Sequence, residues 1–138
     1  MIVKFPLLAL ALAVGACAVQ EQPAPLGPQP LAVVGVPITL ADLQSQIVGN
    51  TGNGTRTGTR AAWSIYVSPD GRMLTKTPIN SDSGTWRMSP GDGRFCMTLQ
   101  NEGSGRENCY TPYRRGTAIE LVDADTAQIL VFTPGNRL

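Results

Sequence analysis

From Thr51 to the end of the chain, turn signals recur about every ten residues, and this punctuation constrains the fold more than any other feature. Ser68-Pro69-Asp70-Gly71 and Pro90-Gly91-Asp92-Gly93 each combine a proline that presets φ, an aspartate that bonds its own backbone and a glycine free to take positive φ. Asn101-Glu102-Gly103-Ser104 and Asp123-Ala124-Asp125-Thr126 are further turns. Between them lie RAAWSIYV, RMLTKT, GTWRMS, RFCMTLQ, ENCYTPY, TAIELV and AQILVF, short runs rich in β-branched, aromatic and alternating residues. These predict seven strands, with an eighth over Thr55 to Thr59.

Consecutive strands joined by tight turns pair antiparallel, and a meander hides its two edges best by curling on itself. The expected fold is mainly β: an antiparallel meander of seven to eight short strands forming a small barrel, with one short N-terminal helix. The helix is read over Leu40 to Val48. Thr39 can cap its first turn, Asp42 complements the positive helix end, and Gly49 supplies a stop. Leu40, Leu43 and Ile47 share one face, and so short a helix must pack that face against the rest of the domain. The strands are short, charged on both faces and without aromatic girdles, which argues against a barrel that spans a bilayer.

The chain opens MIVKFPLLALALAVGACAVQ. Lys4 precedes an apolar run from Phe5 to Val14, of the length of an export-signal core and too short for a membrane span. Val14-Gly15-Ala16-Cys17 resembles the lipobox of bacterial lipoproteins: an aliphatic residue, two small residues, then cysteine. The resemblance implies cleavage before Cys17, a lipid thioether on its sulfur and anchoring by acyl chains, palmitate among them, at the cell envelope. Ala18 after the cysteine points to the periplasmic face of the outer membrane. Residues 18–35 are rich in proline and glutamine, without sustained period, and read as an extended linker. The division is therefore 1–16 signal peptide, 17–35 lipidated cysteine and linker, and 36–138 barrel domain.

Export bears on Cys96 and Cys109, which stand in FCMTLQNEGSGRENCY. A structural zinc site needs four Cys or His ligands, and the chain has no histidine and three cysteines, one assigned to lipid. The spacing is wrong for a redox CxxC pair. Pairing Gln100 with Gly105 around a four-residue turn and counting outward sets Cys96 opposite Cys109 on one face, close enough for a disulfide. The same count sets Phe95 opposite Tyr110.

The sequence offers little catalytic chemistry. Residues 49–59, GNTGNGTRTGT, have two glycines at phosphate-loop spacing, but Thr55 stands where lysine is required and the segment follows a helix, so it reads as a loop or a distorted first strand. Without histidine no Ser-His or Cys-His pair exists. Asp123 and Asp125 lack the rest of a calcium loop. The formal net charge of +1 includes Lys4, and the arginines are scattered, which argues against a nucleic-acid footprint; Arg114-Arg115 reads as a solvated hairpin end. No cofactor and no metal are expected. The aromatics Trp63, Trp86, Phe95 and Tyr110 either fill the barrel core or line an apolar ligand pocket at its mouth.

Gly49-Asn50-Thr51, Tyr66 with Pro69-Asp70-Gly71, Gly84-Thr85-Trp86, Asp92-Gly93-Arg94-Phe95-Cys96, Cys109-Tyr110 and Pro134-Gly135-Asn136 together resemble a family of small exported bacterial domains of unknown function. That resemblance implies a calycin-like or lipocalin-like barrel and no established activity. The expected function is a non-enzymatic envelope lipoprotein whose barrel binds a small apolar ligand or a protein partner. Alternatives are an inhibitor of an exported hydrolase, an envelope assembly factor, or a carboxylate-dependent hydrolase. The last requires Asp82, Asp92 or Glu120 to converge in one cleft.

Overall fold

The computed structural model describes residues 35–138; the expected signal peptide, Cys17 and the linker up to residue 34 lie outside them. The element order is β1 (Val36–Pro37), α1 (Leu40–Ile47), β2 (Asn50–Arg56), β3 (Ala62–Val67), β4 (Arg72–Lys76), β5 (Ser81–Ser89), β6 (Arg94–Leu99), a 3-10 turn (Glu102–Gly105), β7 (Glu107–Arg115), β8 (Ala118–Val122) and β9 (Ala127–Pro134). Strands β2 to β9 each pair antiparallel with the next, and β9 returns to pair with β2, so eight strands close into a barrel. The short β1 stays outside and pairs with the end of β7, Val36 opposite Arg114 and Pro37 opposite Tyr113. The expected meander barrel with one helix is the observed fold.

The first barrel strand differs from expectation in extent. It runs Asn50–Arg56, and residues 57–59 form a turn. NTGNGTR has no hydrophobic alternation, and what makes it a strand is the need for a thin one between β3 and β9. Gly52 faces Ile65 and Phe132, and Gly54 faces Trp63 and Leu130. A Cβ on Gly52 would lie 2.7 Å from the Phe132 ring, and one on Gly54 would lie 1.7 Å from the Ile129 carbonyl oxygen. The strands thus meet where only glycine leaves room.

Register carries the alternation around the barrel. Met73 faces Gly84, which faces Leu99; Trp86 faces Met97; Phe95 faces Tyr110; Pro112 faces Leu121; and Ile119 faces Leu130. Met73, Phe95, Met97, Leu99, Tyr110, Ile119, Leu121 and Leu130 join one core cluster in which Ile65, Val67, Met73, Phe95 and Leu130 are fully buried and Trp63 is 1% exposed, with Trp86 packed against it. The interior is therefore filled by side chains, as a barrel of eight strands permits.

Turns 68–71, 90–93 and 116–117 lie at one end of the barrel, and turns 57–61, 77–80, 100–106 and 123–126 at the other. The helix belongs to the first end. Thr39 Oγ1 accepts from the Asp42 backbone N–H as its N-cap, Leu43 and Ile47 are buried in the barrel's own core cluster, and Gln46 Oε1 accepts from the Arg114 guanidinium. Val48 makes an isolated bridge to Val67, and Asn50 then starts β2. Helix α1 thus stops one end, and the other keeps polar side chains. No described helix is long and apolar enough to cross a membrane.

Candidate functional site

The hairpin β6–β7 carries the cysteines as the sequence register requires: Cys96 pairs with Cys109, and Phe95 with Tyr110. The two Sγ atoms are at disulfide distance, 2.00 Å. Cys96 is fully buried, and Cys109 lies partly exposed beside Glu107, whose carboxylate Arg87 grips through two hydrogen bonds of 2.7 and 2.6 Å. Among the described residues Cys96, Glu107 and Cys109 are the one grouping with metal-ligand spacing, and with the sulfurs joined it offers a single carboxylate.

The four aromatics do not line one pocket. Trp86 is partly buried and stacks on the core residue Phe95 with ring centroids 6.1 Å apart, and the Trp86 indole N–H donates to the Ser68 carbonyl at 2.8 Å. Trp63 lies toward the other end of the barrel, under the Arg56 guanidinium, whose central carbon is 4.5 Å from the ring centroid. Of the four, only Tyr110 lines either of the two cavities that follow.

The smaller cavity, about 280 Å³, opens at the end opposite the helix. Its floor is Met97 and Leu99, its walls are Arg56, Asn108, Tyr110 and Gln128, and its rim is formed by Glu102 and the 123–126 turn with Asp123 and Asp125. Arg56 and Gln128 are cross-strand partners on the inward face, opposite to what an apolar interior leads one to expect. The two Arg56 Nη atoms grip both carboxylate oxygens of Glu102. Burial pushes the Tyr110 hydroxyl's pKa up, and the charge of Asp123 adds to the shift.

Asp82 ties that end together. It accepts from the backbone N–H groups of Ser83, Asn101 and Glu102 and from the Asn101 amide, all at 2.8–3.0 Å. Desolvation acts to raise its pKa, but the N–H groups of Glu102, Asn101 and Ser83 outweigh it and hold the carboxyl below its ordinary value. The three acids whose convergence would point to a hydrolase are spread out. Asp82 sits at the polar end, Asp92 in the turn at the helix end 3.9 Å from Arg94, and Glu120 in β8 facing Tyr113 and Ile129. Glu120 is 3% exposed.

The larger cavity, about 720 Å³, is an open groove on the outer wall of β3 to β6. Tyr66, Leu74, Ser83, Thr85, Thr98 and Gln100 lie in its floor and sides, with the C-terminal tail at one margin through Asn136. That tail is fixed by Thr51, whose hydroxyl donates to the Gly135 carbonyl and accepts from the Arg137 backbone N–H. The only charged side chain in the groove, Arg72, is paired with Asp70, whose carboxyl that pairing holds far below the usual range. Of the residues read from the sequence as a pocket at the barrel mouth, Tyr110 lines the smaller cavity; Arg56, Gln128 and the outward-facing Tyr66 were missed, because they become part of a site only once strand register is known. Compared with protein-family models, curated proteins and solved structures, the chain matches none.

Proposed function

We propose that this protein is a non-enzymatic envelope lipoprotein, anchored through Cys17 at the periplasmic face of the outer membrane, whose barrel is a module for binding a protein partner. The observation that carries the reading is the filled interior. With Trp63, Ile65, Phe95 and Leu130 buried together, the barrel has no central chamber for an apolar ligand, and recognition moves to its surface. The outer groove of β3 to β6 supplies one. It joins an aromatic ring, a Leu74 side chain that is 40% exposed, and a run of hydroxyls and amides without unpaired charge. Such a surface suits an uncharged segment of another polypeptide, whose backbone amides find donors and acceptors in Ser83, Thr85, Thr98 and Gln100.

Closure of the barrel supports docking by side chains rather than by strand addition, because strands β2 to β9 each have both neighbours. The test is site-specific photocrosslinking of the full tethered chain in the envelope. Probes at Leu74 and Thr98 are expected to give an adduct of one discrete mass that is lost in Tyr66→Ala. A probe at Ile79, which is 93% exposed on the far turn, should give none. Equal labelling from all three positions, or none from the groove, overturns the reading.

A further inference from the structure

The polar end of the barrel holds an arrangement that folding alone does not explain. Arg56 Nε, Trp63 Nε1 and Gln128 Oε1 are buried and find no hydrogen-bond partner among the described residues. Trp63 is 1% and Gln128 3% exposed, so neither reaches bulk water. Leaving such groups unmatched costs about 1–3 kcal/mol each. They are also neighbours: Arg56 pairs across the strands with Gln128 and lies over the Trp63 ring, and Arg56 and Gln128 both line the 280 Å³ cavity. The free Nε–H of Arg56 and the free Oε1 of Gln128 thus belong to two residues that line the cavity, with the Trp63 ring packed behind Arg56.

The charges narrow its chemistry. Both Nη atoms of Arg56 are engaged by Glu102, so Nε–H remains as a donor whose charge is already balanced. Around the opening stand one guanidinium and three carboxylates, those of Glu102, Asp123 and Asp125. An anion is repelled by that rim, and a cation is drawn to it. Met97 and Leu99 give the floor an apolar patch between the two polar zones.

We propose that the open end of the barrel is a binding site for a small aliphatic amino amide. Its carbonyl oxygen accepts from Arg56 Nε–H, its amide N–H donates to Gln128 Oε1, its side chain rests on Met97 and Leu99, and its ammonium lies among the rim carboxylates, while Trp63 reports on binding through the Arg56 guanidinium stacked on its ring. The site is separate from the outer groove and does not depend on it.

The test follows the indole N–H resonance of Trp63 in the full chain in detergent micelles, identified by its persistence in Trp86→Phe. Three probes share one side chain and differ in charge: L-leucinamide, N-acetyl-L-leucinamide and N-acetyl-L-leucine. Leucinamide is expected to shift the resonance saturably, the neutral amide to bind about ten-fold more weakly, and the anion to cause no saturable shift. Asp125→Asn should weaken leucinamide several-fold and leave the neutral amide unchanged. Gln128→Leu removes the unmatched carbonyl together with the side chain's hydrogen bond to Tyr110; it should abolish binding in a protein that still unfolds cooperatively, which separates loss of the site from loss of the fold. An unmoved Trp63 resonance with all three probes, equal binding of leucinamide and N-acetyl-L-leucine, or a Gln128→Leu protein that still binds would each overturn the proposal.

Discussion

The Arg56 guanidinium lies 4.5 Å from the centre of the Trp63 ring while gripping the Glu102 carboxylate of the 3-10 turn. One side chain thereby joins the first barrel strand, the core and the loop across the polar end. A guanidinium does this because its flat face stacks while its edge forks onto a carboxylate. Lysine has neither geometry. Arg56→Lys is therefore expected to lower stability by about 1–2 kcal/mol, read as a lower urea midpoint with altered tryptophan fluorescence. Glu102→Gln, which leaves the stacking in place, should cost less.

The Cys96–Cys109 bridge spans a sequence separation of 13 residues. In the chain-entropy model a loop of that size restricts the unfolded state by about 3 kcal/mol, a large share of what holds a small domain together. Replacing both cysteines with alanine is expected to lower the unfolding free energy by that order, with the register of β6 and β7 retained. Alkylation of the denatured but unreduced chain should leave Cys96 and Cys109 unmodified, and reduction should expose both.

The register of that hairpin was legible because a turn of fixed length between two alternating strands determines every pairing beyond it, down to Phe95 opposite Tyr110. Helix α1 was legible for a similar reason: Thr39, Asp42 and the Leu43 and Ile47 face are local signals, and they end where Val48 begins its bridge to Val67. The extent of the first barrel strand, Asn50–Arg56 against an expected Thr55 to Thr59, was not, since its pairing is imposed by β3 and β9 and its sequence carries no period. The polar end was hidden for the same reason. Only after β2 is known to be a strand does the parity of Gly52 and Gly54 place Arg56 inside, opposite Gln128. The four aromatics look alike in sequence, yet Trp86 and Phe95 stack together while Trp63 sits beneath a cation, a distinction made by the cross-strand neighbours.

Gly54 and Gly84 occupy positions where neighbouring backbone stands in the way of a side chain. A Cβ would come within 1.7 Å of the Ile129 carbonyl oxygen at Gly54 and 1.9 Å of the Thr98 carbonyl oxygen at Gly84. Backbone in a closed barrel cannot retreat without breaking the ladder beside it. Each Gly→Ala change is expected to cost about 1–3 kcal/mol or more, seen as a lower melting temperature. Gly91→Ala serves as the comparison, since nothing lies within 4 Å of its Cβ and its φ is not positive, and it should be neutral or slightly stabilising.

Asp82 makes the polar end sensitive to acid. Its backbone partners favour the charged form, so its pKa in the folded chain lies below the ordinary value of 3.8. The unfolded chain therefore takes up the proton first as pH falls. Stabilisation from Asp82 is fully present above the unfolded value and is lost as pH drops through the folded one. Asp82→Asn keeps an acceptor but not the charge, and should cost about 1 kcal/mol at neutral pH. The gap between variant and parent is expected to close below about pH 4, where the parent's carboxyl is itself being protonated. Urea midpoints for both proteins from pH 7 to pH 3 measure this directly. Because Asp82 holds the N–H groups of Asn101 and Glu102, hydrogen exchange at those two amides should quicken in the variant at neutral pH, while exchange in β3 stays slow. A gap that stays constant across the titration would mean that the hydrogen bonds of Asp82, and not its charge, hold the loop.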